Sequence, residues 1–226
     1  MDLRHAAVSV QPICKLNYLL KIYITFYFTY FEVKLLLDVV SLGEPMVELC
    51  ATGIGYLKDV PLFERGWGGD TSNAIVAVAR LGKRAGYITR VGDDEFGKCF
   101  LEMWQREGVD RSQVIVEKGG FTAVYFITLV NGGKHEFTYY RGNSAASHFS
   151  FSDVNSEYIE KSKIFHSSGI SQAISESCRE AVFKAAETAK KSNVLFSYDP
   201  NVRLKLWPVS TARAVINYTL ELADVV

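Results

Sequence analysis

Two apolar runs, residues 163–166 and 194–198, bracket an amphipathic helical pattern over 176–191, and this spacing constrains the chain more than any other feature. A crossover of that length joins parallel strands with a right-handed turn, so it predicts a parallel sheet flanked by helices, an α/β fold. The alternation recurs upstream. A buried strand over 39–42 ends at Gly43-Glu44-Pro45, and a helix over 71–81 precedes a strand over 85–90. A second helix over 95–107 places Phe96, Cys99, Phe100, Met103 and Trp104 at helical spacing and stops at Gly108. A short strand over 114–116, a helix over 153–161 and another over 211–222 continue the pattern, and 224–226 open a further strand. Two features break the rhythm. Residues 46–51 alternate as a strand, and 123–130 with 135–140 flank Asn131-Gly132-Gly133, a strong hairpin turn. Together they are read as an antiparallel β flap, or lid, with strands near 46–51 and 122–140, projecting over strand ends where α/β sheets bind ligands.

The bulk of the sequence narrows the function classes. At 226 residues the chain is long enough to bury a core, and Lys plus Arg equals Asp plus Glu at 25 each. No net field favours nucleic acid or a membrane surface, so neither is expected as a partner. Cys14, Cys50, Cys99 and Cys178 form no CxxC pair, which fits reduced thiols in a cytoplasmic protein, and His5, His135, His148 and His166 are too scattered to predict a metal site. Residues 1–37 differ from the rest. Lys21 and Glu32 bound their longest uncharged stretch, 22–31, which is too short to span a bilayer, and no cleavage site marks a signal peptide. Three readings stand for this extension: an added element packing on the domain, an interfacial segment, or upstream sequence outside the folded unit. The last is preferred.

Polar residues gather at three places. Gly68-Gly69-Asp70-Thr71-Ser72-Asn73 runs directly into a helix of small residues. Paired glycines let backbone approach a ligand, Asp70, Thr71 or Ser72 can cap the helix, and an Asp with an Asn suits a polyhydroxylated ligand. An ordinary capped core helix uses the same residues. Tyr139-Tyr140-Arg141 closes the hairpin, where Arg recognises carboxylate or phosphate and cross-strand aromatics also serve simple stability. Asp199-Pro200-Asn201-Val202-Arg203 clusters at the carboxyl end of an apolar strand, as a site or as a plain turn. His166-Ser167-Ser168 lacks a nucleophile-elbow pattern and is read as pocket lining or loop support. There is no P-loop and no GxGxxG after a strand.

Taken with Arg90-Val91-Gly92-Asp93-Asp94-Glu95-Phe96-Gly97, the first and third clusters resemble the PfkB (ribokinase-like) family of carbohydrate kinases over 38–226. Tyr139-Tyr140-Arg141-Gly142-Asn143-Ser144-Ala145 and His166-Ser167-Ser168-Gly169-Ile170 are most similar to the family's 2-keto-3-deoxygluconate kinases, with fructokinases the nearest rival. The resemblance implies a ribokinase-like parallel-sheet sandwich with a lid, using ATP and Mg2+ to phosphorylate a sugar or sugar acid. Gly69, Asp70 and Asn73 would hold sugar hydroxyls, and Tyr125 would contact the sugar. Tyr139 and Arg141 would cover its carboxylate end. Arg203 would sit between substrate and transferring phosphate, with Asn201 beside it. The open hairpin edge leads to an expectation of pairing between two lids as a homodimer. The family's Gly-Ala-Gly-Asp motif, source of the anion hole and the catalytic Asp, does not occur in this sequence. The resemblance therefore implies a C-terminally incomplete fold, with no catalytic base in this chain, no metal ligand assigned, and no activity alone. A non-catalytic sugar-binding module and an unstable truncated product are the alternatives.

Overall fold

The computed structural model describes residues 37–130 and 132–226. The extension set apart in the sequence therefore lies outside the described residues except for Leu37, which opens the first strand.

Five strands make the central sheet: β1 (Leu37–Leu42), β4 (Ala85–Gly92), β5 (Val109–Glu117), β8 (Ser162–Ser168) and β9 (Leu195–Asp199). They stand in the order β5-β4-β1-β8-β9, and every pairing is parallel. Among the described residues the α-helices are α1 (Asp70–Arg80), α2 (Glu95–Arg106), α3 (Ser156–Glu160), α4 (Gly169–Ala173), α5 (Glu176–Lys191) and α6 (Val209–Leu222). Because side chains alternate along a strand, β1 and β4 feed two cores at once. Val40 and Ile88 face a cluster with Phe165, Phe196 and the α5 residues Ala181, Ala185 and Ala189. Tyr87 and Val91 face the opposite cluster with Ile75 of α1 and Phe100 and Trp104 of α2. The sheet is thus the middle layer of an α/β/α sandwich. The alanines of α5 keep that helix close to the sheet, since each is fully buried and adds little bulk. Among the described residues no helix is long and apolar enough to cross a membrane.

A buried polar chain ties α4 and α6 to the end of β9. The Tyr198 hydroxyl donates to Gln172 Oε1 at 2.7 Å, Gln172 Nε2 donates to Thr219 Oγ1 at 2.9 Å, and Thr219 Oγ1 donates to the Val215 carbonyl at 2.7 Å. All three side chains are buried. Tyr198→Phe leaves the Gln172 carbonyl without its donor, so a loss of about 1–3 kcal/mol in urea unfolding is expected. A loss below a few tenths would show that Gln172 finds another partner.

The lid is a second sheet of β2 (Met46–Ile54), β3 (Phe63–Gly68), β6 (Val124–Val130) and β7 (Lys134–Tyr140), in the order β3-β2-β6-β7. Its hairpin is antiparallel, but β2 and β6 pair in parallel, which corrects the purely antiparallel flap expected from the sequence. The cause is directional. β2 leaves the carboxyl end of β1 and β6 leaves that of β5, so both run outward from the same end of a parallel sheet. Strand β3 was not foreseen, because Gly66 and Gly68 within it read as loop. They fit a strand here because neighbouring side chains lie over them; a Cβ on Gly68 would fall 2.4 Å from the Tyr125 ring. Smaller shifts of boundary follow the same logic: the 153–161 helix shortens to α3 behind a 3-10 turn at Phe151–Asp153, and 224–226 contribute a single parallel bridge, Ser197 to Val225.

Candidate functional site

The polar clusters meet where the lid leaves the sheet, at the carboxyl ends of β1, β8 and β9. Gly69 starts α1 at φ 97°, and a Cβ there would lie 2.4 Å from the Glu44 carbonyl oxygen and 3.0 Å from Pro45 Cα. The turn after β1 is thereby packed against the start of α1. No side chain caps that helix. Gly69 occupies the N-cap position, and Asp70 instead accepts from the next backbone N–H, that of Thr71, at 2.8 Å.

That geometry leaves the other carboxylate oxygen of Asp70 facing the loop after β9. Asn201 Nδ2 donates to Asp70 Oδ2 at 2.9 Å, joining residues 131 positions apart. Asn201 holds φ 33°, in the left-handed region, and its N–H donates to Asp199 Oδ1 at 2.9 Å. Two residues on, Arg203 is exposed; its Nη1 donates to the Val202 carbonyl at 3.1 Å, and among the described residues no carboxylate pairs with it. An exposed guanidinium on the loop that Asn201 ties to Asp70 can meet an anion without first breaking an ion pair to a described carboxylate.

On the lid side, strand register sets Glu48, Tyr125 and Tyr139 side by side. The rings of Tyr125 and Tyr139 stack with centroids 5.6 Å apart and planes 22° from parallel, and the Tyr125 hydroxyl donates to the Glu48 carboxylate. Burial, then the Glu48 carboxylate, holds the Tyr125 hydroxyl well above its ordinary pKa, so it is a donor at neutral pH. Arg141 lies 5.8 Å from the Tyr139 ring centroid and forms an ion pair with Glu44. The side chain of Glu44 is only 1 % exposed and also accepts from Ser144 Oγ at 3.3 Å. Burial outweighs Arg141 and pushes the Glu44 carboxyl up to about 6.

The structure therefore joins Gly69, Asp70 and Asn201 at one point and Tyr125, Tyr139 and Arg141 at another, with Glu44 touching both through its backbone and its side chain. Asn73 stands apart. It is exposed on the first turn of α1 and lines, with Trp67, Val76, Ala77, Arg80 and Met103, a cavity of about 360 Å3. It has no hydrogen bond to Asp70, Asn201 or Arg203. His166 lines a different cavity, of about 260 Å3, with Val39, Ile75 and Leu195, while Ser167 Oγ donates to the Leu42 carbonyl. Glu44 was missed in the sequence, where Gly43-Glu44-Pro45 reads as a turn. The available signal was a charged residue set between two apolar strands. Among the described residues no group of three or more His, Cys, Asp or Glu side chains is placed to hold a metal ion.

A parallel α/β sheet whose strand ends carry convergent polar loops under a β lid is an arrangement of the doubly wound class, in which ligands in general bind at those strand ends. The model of the pfkB family of carbohydrate kinases matches residues 36–226, and the chain belongs to that family. Fructokinase-1 of Oryza sativa subsp. japonica is 40% identical over 190 residues, covering 83% of this chain and 58% of the relative. The chain thus spans a little over half the length of that relative. Among solved structures, a PfkB protein from Polaromonas sp. JS666 superposes with a TM-score of 0.80 at 31% identity, covering 83% of this chain and 64% of the other. A putative ribokinase II from E. coli, solved in complex with ATP and Mg2+, gives 0.76 at 30% identity, covering 84% and 61%. The 2-dehydro-3-deoxygluconokinase of Thermotoga maritima gives 0.77 over 83% and 58%; at 24% identity it shares the fold alone.

Proposed function

We propose that this chain serves the ATP-dependent phosphorylation of a ketohexose, holding the sugar between Asp70 and the lid. The observation that carries the reading is the Asn201–Asp70 hydrogen bond, with the guanidinium of Arg203, which no carboxylate among the described residues pairs, two residues further along the same loop. Identity to fructokinases at 38–40% supports a ketohexose ahead of the sugar acid expected from the motifs.

The roles follow from the donor and acceptor inventory. Each oxygen of an ionised carboxylate accepts more than one hydrogen bond, so Asp70 keeps acceptor capacity for sugar hydroxyls while bonded to Thr71 and Asn201. Tyr125 and Tyr139 supply flat apolar faces and hydroxyls from above, and the lid they belong to would exclude water from the transfer. Asn201 and Arg203 fit a phosphate chain, because a guanidinium without a carboxylate partner neutralises anionic oxygens in pairs. ATP supplies the phosphoryl group when bound. Positioning and charge neutralisation are what phosphoryl transfer chiefly asks of a protein, and both fall to residues at these strand ends.

Calorimetric titration of the purified chain with fructose, ribose and 2-keto-3-deoxygluconate tests the reading, and fructose is expected to bind tightest. Asp70→Asn replaces a charged acceptor by an amide and is expected to weaken fructose about 10- to 100-fold, the range of one charge-assisted hydrogen bond. Unchanged heats in that variant would remove Asp70 from the site.

A further inference from the structure

We propose that Glu44 makes this site selective for uncharged sugars, by pairing with Arg141 so that its guanidinium offers hydrogen-bond donors without a net charge. The inference rests on the sugar-site reading proposed above.

Arg141 is the cation at the root of the lid, and in isolation it would read as a carboxylate receptor. Its surroundings alter that. The Glu44 carboxylate beneath it is nearly inaccessible, and the Arg141 side chain is itself only 13% exposed. A pair so far withdrawn from water is screened little by salt, so the two charges largely cancel at any point a substrate would occupy. A guanidinium carries five N–H groups. Those that Glu44 does not occupy remain available to neutral hydroxyls, which need a donor but no countercharge. A substrate carboxylate would meet a different balance. Asp70 lies close enough to Glu44 to act on it electrostatically, so at the lid root an incoming anion faces two carboxylates against Arg141, while Arg203 on the loop after β9 is taken up by the phosphate chain in the reading proposed above. Like charges with one shared counterion disfavour the third anion.

Glu44 is also fixed in place, which a selectivity device requires. Its carbonyl is held against Gly69, and Ser144 Oγ donates to its second oxygen at 3.3 Å. Among the described residues the titratable and charged groups facing it are Arg141 from the lid root, Asp70 from α1, Tyr87 from β4 and Cys178 from α5. Burial raises both the Tyr87 hydroxyl and the Cys178 thiol, the latter to about 11, so neither is charged between pH 5 and 7.5.

The experiment compares fructose with 2-keto-3-deoxygluconate by calorimetry on the wild-type chain and on Glu44→Gln, with circular dichroism as the check on folding. At pH 7.5 the wild type is expected to prefer fructose by about tenfold or more, and Glu44→Gln to move that ratio toward the acid by about tenfold. The wild type is also titrated at pH 5, where Glu44 gains its proton while the acid's own carboxylate stays ionised. The same shift toward the acid is expected there, and this arm stands if the variant does not fold. A wild type that binds the acid as well as fructose overturns the inference. So does a ratio that moves neither in the folded variant nor with pH. Those results leave fructose binding, and hence the sugar site, intact. A wild type that binds neither compound overturns the sugar site itself and the role of Glu44 with it.

Discussion

Gly69→Ala is expected to cost at least about 3 kcal/mol of stability and to remove sugar binding altogether. Two independent penalties add at this residue. Its φ of 97° lies in a region that side chains disfavour, at a cost of about 1–3 kcal/mol. The new methyl group would also sit 2.4 Å from the Glu44 carbonyl oxygen, a backbone atom with no rotamer to escape into. Either the turn after β1 or the first residues of α1 must move. Both carry the site, since Asp70 follows directly and Glu44 supports Arg141. Gly82→Ala provides the control. Gly82 also has a positive φ, 75°, but a Cβ there meets nothing within 4 Å, so only the conformational cost of about 1 kcal/mol applies. Urea midpoints for the two variants, with fructose titrations beside them, decide the matter. If Gly69→Ala falls within about 1 kcal/mol of Gly82→Ala and still binds fructose, the close packing of Gly69 on Glu44 is not what shapes the site.

What the sequence made legible, and what it did not, divides by the range of the interaction. Helix α5 was read to its boundaries because its signals are local: Ser175 caps it by accepting from the Cys178 N–H, and apolar residues recur along one face. The Asp199-Pro200-Asn201-Val202-Arg203 cluster was legible for a similar reason, since polar residues at the end of an apolar strand mark a strand end whatever packs there. The parallel pairing of β2 with β6 was not legible. It joins segments separated by about eighty residues and is set by where each leaves the main sheet, which no local pattern encodes. Strand β3 was hidden by its glycines, whose reason for being there is the Tyr125 ring from another strand. The partner of Arg141 was hidden too. A glutamate between Gly43 and Pro45 looks like a surface turn, and only the fold shows it buried under a lid. Asn73, placed beside Asp70 by the resemblance, shares its helix turn but not its hydrogen bonds.

Trp104→Ala is the second large effect, expected to cost about 3–5 kcal/mol, in the range measured for truncating a fully buried large aromatic. Trp104 is 0% exposed, with its ring 5.0 Å from that of Tyr87 and 5.1 Å from that of Phe100, which in turn meets Trp67 of the lid at 5.0 Å. Its Nε1 donates to Ser72 Oγ at 3.1 Å, and the Tyr87 hydroxyl is bonded to Thr71 Oγ1 at 2.9 Å. The aromatic cluster therefore does two things. It fills the core between the sheet and α2, and it holds from behind the first turn of α1, whose front carries Asp70. Trp104→Ala opens a cavity and leaves Ser72 without its donor, so loss of stability and loss of sugar affinity are expected together. Trp104→Phe separates the two. It keeps most of the ring and gives up the N–H, so it should cost only about 1–2 kcal/mol while showing what the Ser72 bond alone does to fructose binding. With total stabilities of domains near 5–15 kcal/mol, a loss of about 3–5 kcal/mol takes up a large share of the whole, so the alanine variant is expected to lose much of its margin at 37 °C and the phenylalanine variant to keep most of it. An alanine variant that loses less than about 2 kcal/mol in urea would mean that the cluster collapses to refill the space, and that the first turn of α1 is held by something other than this core.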